Sequence, residues 1–204
     1  MPKVFAQMAV TLDGFIAGPD DGPEHPIGRQ GHKVFAWQFA TRWWKSMYGD
    51  GDAEPTVDDP VLDEIFARSG ATVIGRRMFD NGEVPWGDDP PYHQPAFIVT
   101  HSPRPTLPKL GGTTYHFVTE GIERALELAR EAAGDKDVEI AGGADLVQQY
   151  MVAGLLDELE LHVVPACLGG GVRMFDRPEL AAVPLTPNRV IASPAVTHIR
   201  YDVG

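Results

Sequence analysis

A single cysteine, Cys167, occurs in 204 residues. That excludes any intrachain disulfide and any zinc site built on several cysteines, so no metal site is expected. One reduced thiol fits a reducing compartment. Basic residues are also scarce: 17 Lys and Arg stand against 29 Asp and Glu, a formal net charge of -12. A surface that acidic repels nucleic acid and anionic membrane, so a bound anion needs a local basic cluster. No run approaches the roughly 20 apolar residues of a membrane span. The start, Met1-Pro2-Lys3-Val4-Phe5, enters a strand-like pattern with no signal-peptide hydrophobic region. The cytoplasm is therefore the expected location, with neither nucleic acid nor membrane as a partner.

The chain is 43% hydrophobic and 23% charged, which supports one packed domain over residues 1–204. Its 22 glycines and 18 prolines gather between periodic segments and mark long connections. The longest, residues 19–60, reads as an insertion. Inside it, Phe35 to Trp44 carries Trp37, Phe39, Trp43 and Trp44. Large aromatics outside a periodic core point to an interface or a ligand, hence the expectation of a homodimer whose insertion borders the pocket.

Short apolar runs predict strands at Lys3–Val10, Ala71–Ile74, Ala96–Thr100, Tyr115–Val118 and Val138–Ala141. Leu159, Leu161 and Val163 alternate with Glu158, Glu160 and His162, the pattern of a half-exposed strand ended by Pro165. Asn188–Ser193 and Val196–Val203 read as two further strands. Between them lie predicted helices: one capped by Asp59 with Pro60 first and Gly70 closing it, one capped by Thr119 and ended by Gly134, and one from Gly143 to Gly154. Strands alternating with helices predict an α/β fold with a mostly parallel sheet and an antiparallel C-terminal edge.

Three strand-to-helix junctions carry residues suited to a phosphate. Ala141-Gly142-Gly143-Ala144-Asp145-Leu146 offers a backbone without side chains ahead of helix N–H groups. Gly75-Arg76-Arg77-Met78 places two guanidinium groups directly after a strand, where they can clamp a phosphate such as the 2′-phosphate of NADPH. Thr100-His101-Ser102 ends another strand with hydroxyls and an imidazole. Each has a plain reading too: a tight turn, a solvated arginine pair, a strand-end turn.

In chain order, the motifs resemble the reductase domain of the riboflavin-pathway deaminase–reductases. Thr11-Leu12-Asp13-Gly14-Phe15-Ile16-Ala17 is similar to that family's S-L-D-G-x-x-A. Ala153-Gly154-Leu155-Leu156-Asp157-Glu158-Leu159 is similar to A-G-L-[VI]-D-E-L, and Val164 to Gly171 to P-x-L-L-G. Gly75 to Asp80 is closer to the G-R-x-T-[WF]-E of dihydrofolate reductase.

The resemblance implies a dihydrofolate-reductase-like sheet of about eight strands. It also implies NADPH across the strand ends, a dimer, and hydride transfer to a small heterocyclic or carbonyl substrate, like the 5-amino-6-(5-phosphoribosylamino)uracil reductase of riboflavin biosynthesis. Gly142, Gly143, Ala144 and Asp145 would cradle the pyrophosphate, with Arg76, Arg77 and His101 at the 2′-phosphate. Val10, Thr11, Ile16 and Ala17 would border the nicotinamide, with Asp13 beside it as the candidate catalytic or substrate-orienting carboxylate. The family commonly has a lysine where Gln7 falls and a glutamate where Ala141 stands, so the substrate contacts differ. The alternative is an NADP-binding protein without turnover, its insertion serving a partner.

Overall fold

A computed structural model of the chain describes residues 1–49 and 53–204; residues 50–52 of the expected insertion lie outside the described residues. The chain opens with β1 (Val4–Thr11) and a short β2 (Phe15–Ala17), joined through the expected Leu12-Asp13-Gly14 turn. Two helices follow inside the insertion, α1 (His32–Ala40) and α2 (Arg42–Tyr48), and then α3 (Asp59–Arg68). β3 (Ser69–Gly75), α4 (Arg76–Trp86), β4 (Pro95–Val99), β5 (Leu107–Pro108) and β6 (Thr114–Val118) come next. The second half runs α5 (Ile122–Ala133), β7 (Asp137–Gly142), α6 (Ala144–Val152), β8 (Glu158–Val164), β9 (Val172–Arg173), β10 (Leu185–Ala192) and β11 (Thr197–Val203).

Nine strands form one sheet in the order β10-β11-β8-β1-β7-β3-β4-β6-β5. The central pairings from β8 to β6 are parallel, and β8, β11 and β10 pair antiparallel at the C-terminal edge, as the alternating pattern predicts. β2 and β9 form a separate two-stranded ribbon. Among the described residues no helix is long and apolar enough to cross a membrane.

The two faces of the sheet differ, and the difference makes the site. Val4, Ala6, Met8, Val138, Ile140, Leu159 and Leu161 share one face in register and pack with Leu126, Ala129, Val147 and Met151 of α5 and α6. The opposite face carries Phe5, Gln7, Glu139, Glu158, Glu160 and His162, with His198 and Arg200 beside them on β11. This face is covered by α1 and α3, through Trp37, Val61, Leu62 and Ile65.

Four local expectations are corrected. β8 is buried along nearly its whole length, not half-exposed, because α1 lies against it on one face and the core lies on the other. Gly70 lies within β3 instead of ending a helix. A Cβ there would come 2.7 Å from Lys136 Cβ and 2.9 Å from the Ala133 carbonyl, an approach only glycine permits. α3 is preceded by Asp58, and Asp59 is its first residue; the Asp59 carboxylate instead accepts from Thr56 N and Oγ1 (2.5 and 2.8 Å) and from Trp43 N (3.3 Å), tying α2 to α3. α5 is capped by Gly121, not Thr119, whose N–H and hydroxyl are taken by Glu120.

Candidate active site

A cleft of about 1310 Å³ opens over the carboxyl ends of β3, β4 and β7, the place where parallel sheets gather ligands. Three helix N-termini meet on its wall. α4, α5 and α6 begin at Gly75, Gly121 and Gly143, and all three glycines line the cleft. None of the three caps supplies a side-chain hydrogen bond, so no side-chain oxygen competes with a bound anion for the first-turn N–H groups. A Cβ built on Gly143 meets nothing within 4 Å: the backbone there faces open cleft. Gly142, by contrast, is required by the chain itself, at φ +114° with Met8 Sδ 3.3 Å from where a Cβ would lie. This wall fits the pyrophosphate of a dinucleotide.

Of the residues expected to hold the cofactor, Ile16, Ala17, Gly75, Arg76, Arg77, Met78, Thr100, His101, Ser102, Ala141, Gly143, Ala144, Asp145 and Leu146 all line this one cleft. Arg76 is braced in it: Nε donates to Asp80 Oδ1 (2.7 Å) and an Nη to Thr100 Oγ1 (3.2 Å), joining the β3 and β4 junctions. Arg77 points elsewhere. Its guanidinium is held by Asp21 of the insertion (3.0 and 2.5 Å), so the two arginines do not converge on one point. Asp145 is paired with Arg177, which neutralises a carboxylate at the mouth of α6.

Val10 and Thr11 are buried under the cleft and do not line it. Asp13 is also away from the cleft wall. Its carboxylate accepts from Thr11 Oγ1 (2.5 Å), Leu168 N (3.0 Å) and Gly169 N (2.7 Å), clamping the turn after β1 to the turn after β8. The Thr11 hydroxyl and then the Gly169 N–H hold its pKa below the ordinary value. This is the bonding of a structural turn aspartate.

The insertion borders the cleft. Phe35, Gln38, Phe39, Trp43 and Trp44 line it, with Trp43 stacked on Phe66 at 4.2 Å and Trp44 against Phe39 at 4.6 Å. Trp37 instead is buried on the sheet, 4.9 Å from the His162 ring and 5.1 Å from His198. Phe35, Phe39, Trp43 and Trp44 thus border the cleft, as expected of the insertion, and stay half-buried.

Gln7 belongs to a buried group in which the sequence motifs mark none of Glu139, His198 and Asp58. Gln7 Nε2 donates to Glu139 Oε1 (3.1 Å), and Gln7 Oε1 meets His162 Nε2 (2.9 Å). His162 Nδ1 meets His198 Nδ1 (2.7 Å), and His198 Nε2 lies 3.1 Å from Asp58 Oδ1. Gln7, Glu139 and His162 line the cleft; Glu139 is 4% exposed and His162 0%. Burial raises the Glu139 pKa against the Gln7 hydrogen bond and the Arg68 charge. Burial, then His198, Arg200 and Arg189, pushes His162 well down, so its imidazole is neutral. The signal was present: Glu139 shares a strand face with Ala141 just ahead of the double glycine, in a strand whose position predicts apolar residues on both sides.

The chain is 24% identical over 173 residues to the uncharacterized protein YwjB of Bacillus subtilis (strain 168), covering 85% of this chain and 82% of that one. A Shewanella sp. PV-4 protein assigned by its name to riboflavin biosynthesis shares the fold, with TM-score 0.71 at 20% identity and 99% of both chains covered. Dihydrofolate reductase from Enterococcus faecalis, solved with NADP(H), has TM-score 0.56 at 12% identity, covering 99% of this chain and 96% of that one. At these identities the likeness of the solved structures is one of fold. The family model of the RibD C-terminal domain matches residues 2–199, and the chain belongs to that family.

Proposed function

We propose that the protein is an NADPH-dependent reductase that transfers a hydride to a small, flat heterocyclic or carbonyl substrate. The observation that carries this reading is the meeting of three glycine-capped helix N-termini on one wall of a cleft whose other wall is aromatic. The first wall suits the phosphates of a dinucleotide; the second suits a flat ring system. The fold it shares with a dihydrofolate reductase that binds NADP(H) supports the same cofactor. When bound, NADPH supplies the hydride, and the protein supplies orientation and exclusion of water.

The substrate differs from the phosphoribosyl compound of the riboflavin pathway. Arg76, Arg77 and Arg173 are the Arg and Lys residues on the cleft wall among the described residues, and none comes from the aromatic insertion. A substrate phosphate on that side meets no cation there.

Calorimetry with NADPH and NADH tests the cofactor side. Arg76→Ala should weaken NADPH by about 10- to 100-fold, the scale of one charged hydrogen bond, and leave NADH nearly unchanged. Arg77→Ala should change either far less, because Asp21 already holds that guanidinium. Equal losses of both cofactors in Arg76→Ala would sink the assignment.

A further inference from the structure

Among the described residues six acids line the cleft: Asp21, Asp80, Glu123, Glu139, Asp145 and Asp176. Asp21, Asp80 and Asp145 are paired with Arg77, Arg76 and Arg177, and Glu123 and Asp176 are exposed. Glu139 alone among them is buried, and no cation is within ion-pair distance of it among the described residues. Burial of a carboxyl in that setting raises its pKa above the ordinary value.

Resting on the reductase reading, we propose that Glu139 is the acid that protonates the substrate, a flat heterocycle reduced at a C=N bond, and that Gln7 positions it. The substrate carbon takes the hydride with its electron pair. The C=N π electrons take the proton from the Glu139 carboxyl: an O–H bond breaks, an N–H bond forms, and a carboxylate remains. The product therefore gains one hydride and one proton. Glu139 regains its proton from water once the open cleft is vacated.

The hydrogen-bond directions behind Glu139 suit both of its states. In one orientation of its amide, Gln7 Nε2–H donates to the Glu139 carboxylate. Gln7 Oε1 then needs a proton on His162 Nε2, so His162 Nδ1 accepts from His198 Nδ1–H, and a second proton on His198 faces Asp58. With the Gln7 amide turned over, its oxygen accepts from protonated Glu139 and its N–H donates to His162. His162 then donates to His198, and neutral His198 to Asp58. The two arrangements hold the same number of protons, so handing the Glu139 proton to the substrate leaves the row one proton short until water resupplies it.

The groups that face Glu139 and bear on its titration are Gln7 on β1, Arg68 on α3 and Tyr92 before β4. Those that face His162 are His198 and Arg200 on β11 and Arg189 on β10.

The probe is 2-aminoquinoline, a flat amidine-bearing fluorophore whose absorption shifts when its ring nitrogen is protonated. It is titrated into wild type and Glu139→Gln at about pH 8.5, where ordinary carboxyls are ionised. Wild type should bind the probe in its protonated form, and Glu139→Gln should bind it about tenfold more weakly and in its neutral form. A neutral probe bound to wild type, equal binding by both proteins, or no binding to wild type overturns the assignment. If Glu139→Gln does not fold, the spectrum of the wild-type complex decides. NADPH calorimetry on the same wild-type sample separates the two readings: absence of NADPH binding removes the reductase, while protonation of the probe still stands or falls by itself.

Discussion

Replacing Glu139 with Gln should change how the protein responds to acid, and the sign follows from two buried groups that titrate in opposite senses. His162 is neutral in the folded chain, its pKa pushed well below 6.5 by burial and by the His198, Arg200 and Arg189 charges. The unfolded chain takes up this proton near 6.5, so stability contributed by His162 falls as pH drops below that value. The slope is about 1.4 kcal/mol per pH unit. Glu139 behaves inversely. Burial raises its pKa above 4.5, so from 4.5 up to that raised midpoint the folded state holds a proton the unfolded state has released. Within that window stability rises as pH falls, by the same roughly 1.4 kcal/mol per unit. Where the windows overlap, the two slopes cancel in wild type.

Glu139→Gln removes the second slope and exposes the first. Acidification below about pH 6.5 should therefore destabilise Glu139→Gln more than wild type, by up to about 1.4 kcal/mol per unit. His162→Gln should show the reverse, gaining on wild type as pH falls. Equilibrium denaturant unfolding at several pH values between about 4.5 and 7.5 measures this, plotted as each variant minus wild type. Carboxylates with depressed pKa values, such as Glu64, Glu83 and Glu158, contribute alike to all three proteins and drop out of the differences. Three parallel curves would show that neither group is perturbed as its burial demands, and would refute the reasoning.

Two substitutions separate the cofactor wall from the scaffold beneath it. Gly143→Ala adds a methyl group where nothing lies within 4 Å, so the melting temperature should hold while NADPH affinity falls by about tenfold from the lost close approach; unchanged affinity would remove Gly143 from the pyrophosphate wall. Asp13→Asn weakens the carboxylate's grip on the Leu168 and Gly169 N–H groups, so thermal melts should drop while calorimetric NADPH affinity stays near wild type. Lost cofactor binding with an unchanged melt would return Asp13 to the site.

Much of the fold was determined by local pattern. Alternating apolar runs and helical periodicities gave the α/β class, the mostly parallel sheet and the antiparallel edge from Asn188 onward, because periods of two and of 3.6 dictate which residues face a core. The cofactor wall was legible for a related reason. Gly75, Gly142 and Gly143 are punctuation between a strand and a helix, and a parallel sheet brings all such junctions to one end.

What the tertiary structure alone decided is which polar residues meet. Glu158, Glu160 and His162 alternate with leucines and read as a wet face; only the docking of α1 and α3 buries them. Arg76 and Arg77 are neighbours in sequence, but a helix turns adjacent side chains about 100° apart, which sends Arg76 to Thr100 and Arg77 to Asp21. Asp58, Gln7, Glu139, His162 and His198 come from five separate segments. Their chain of hydrogen bonds exists only because sheet register sets β7, β1, β8 and β11 near one another and α3 delivers Asp58 to the end. No local pattern encodes such a row, since each member sees its partners only once the strands have paired.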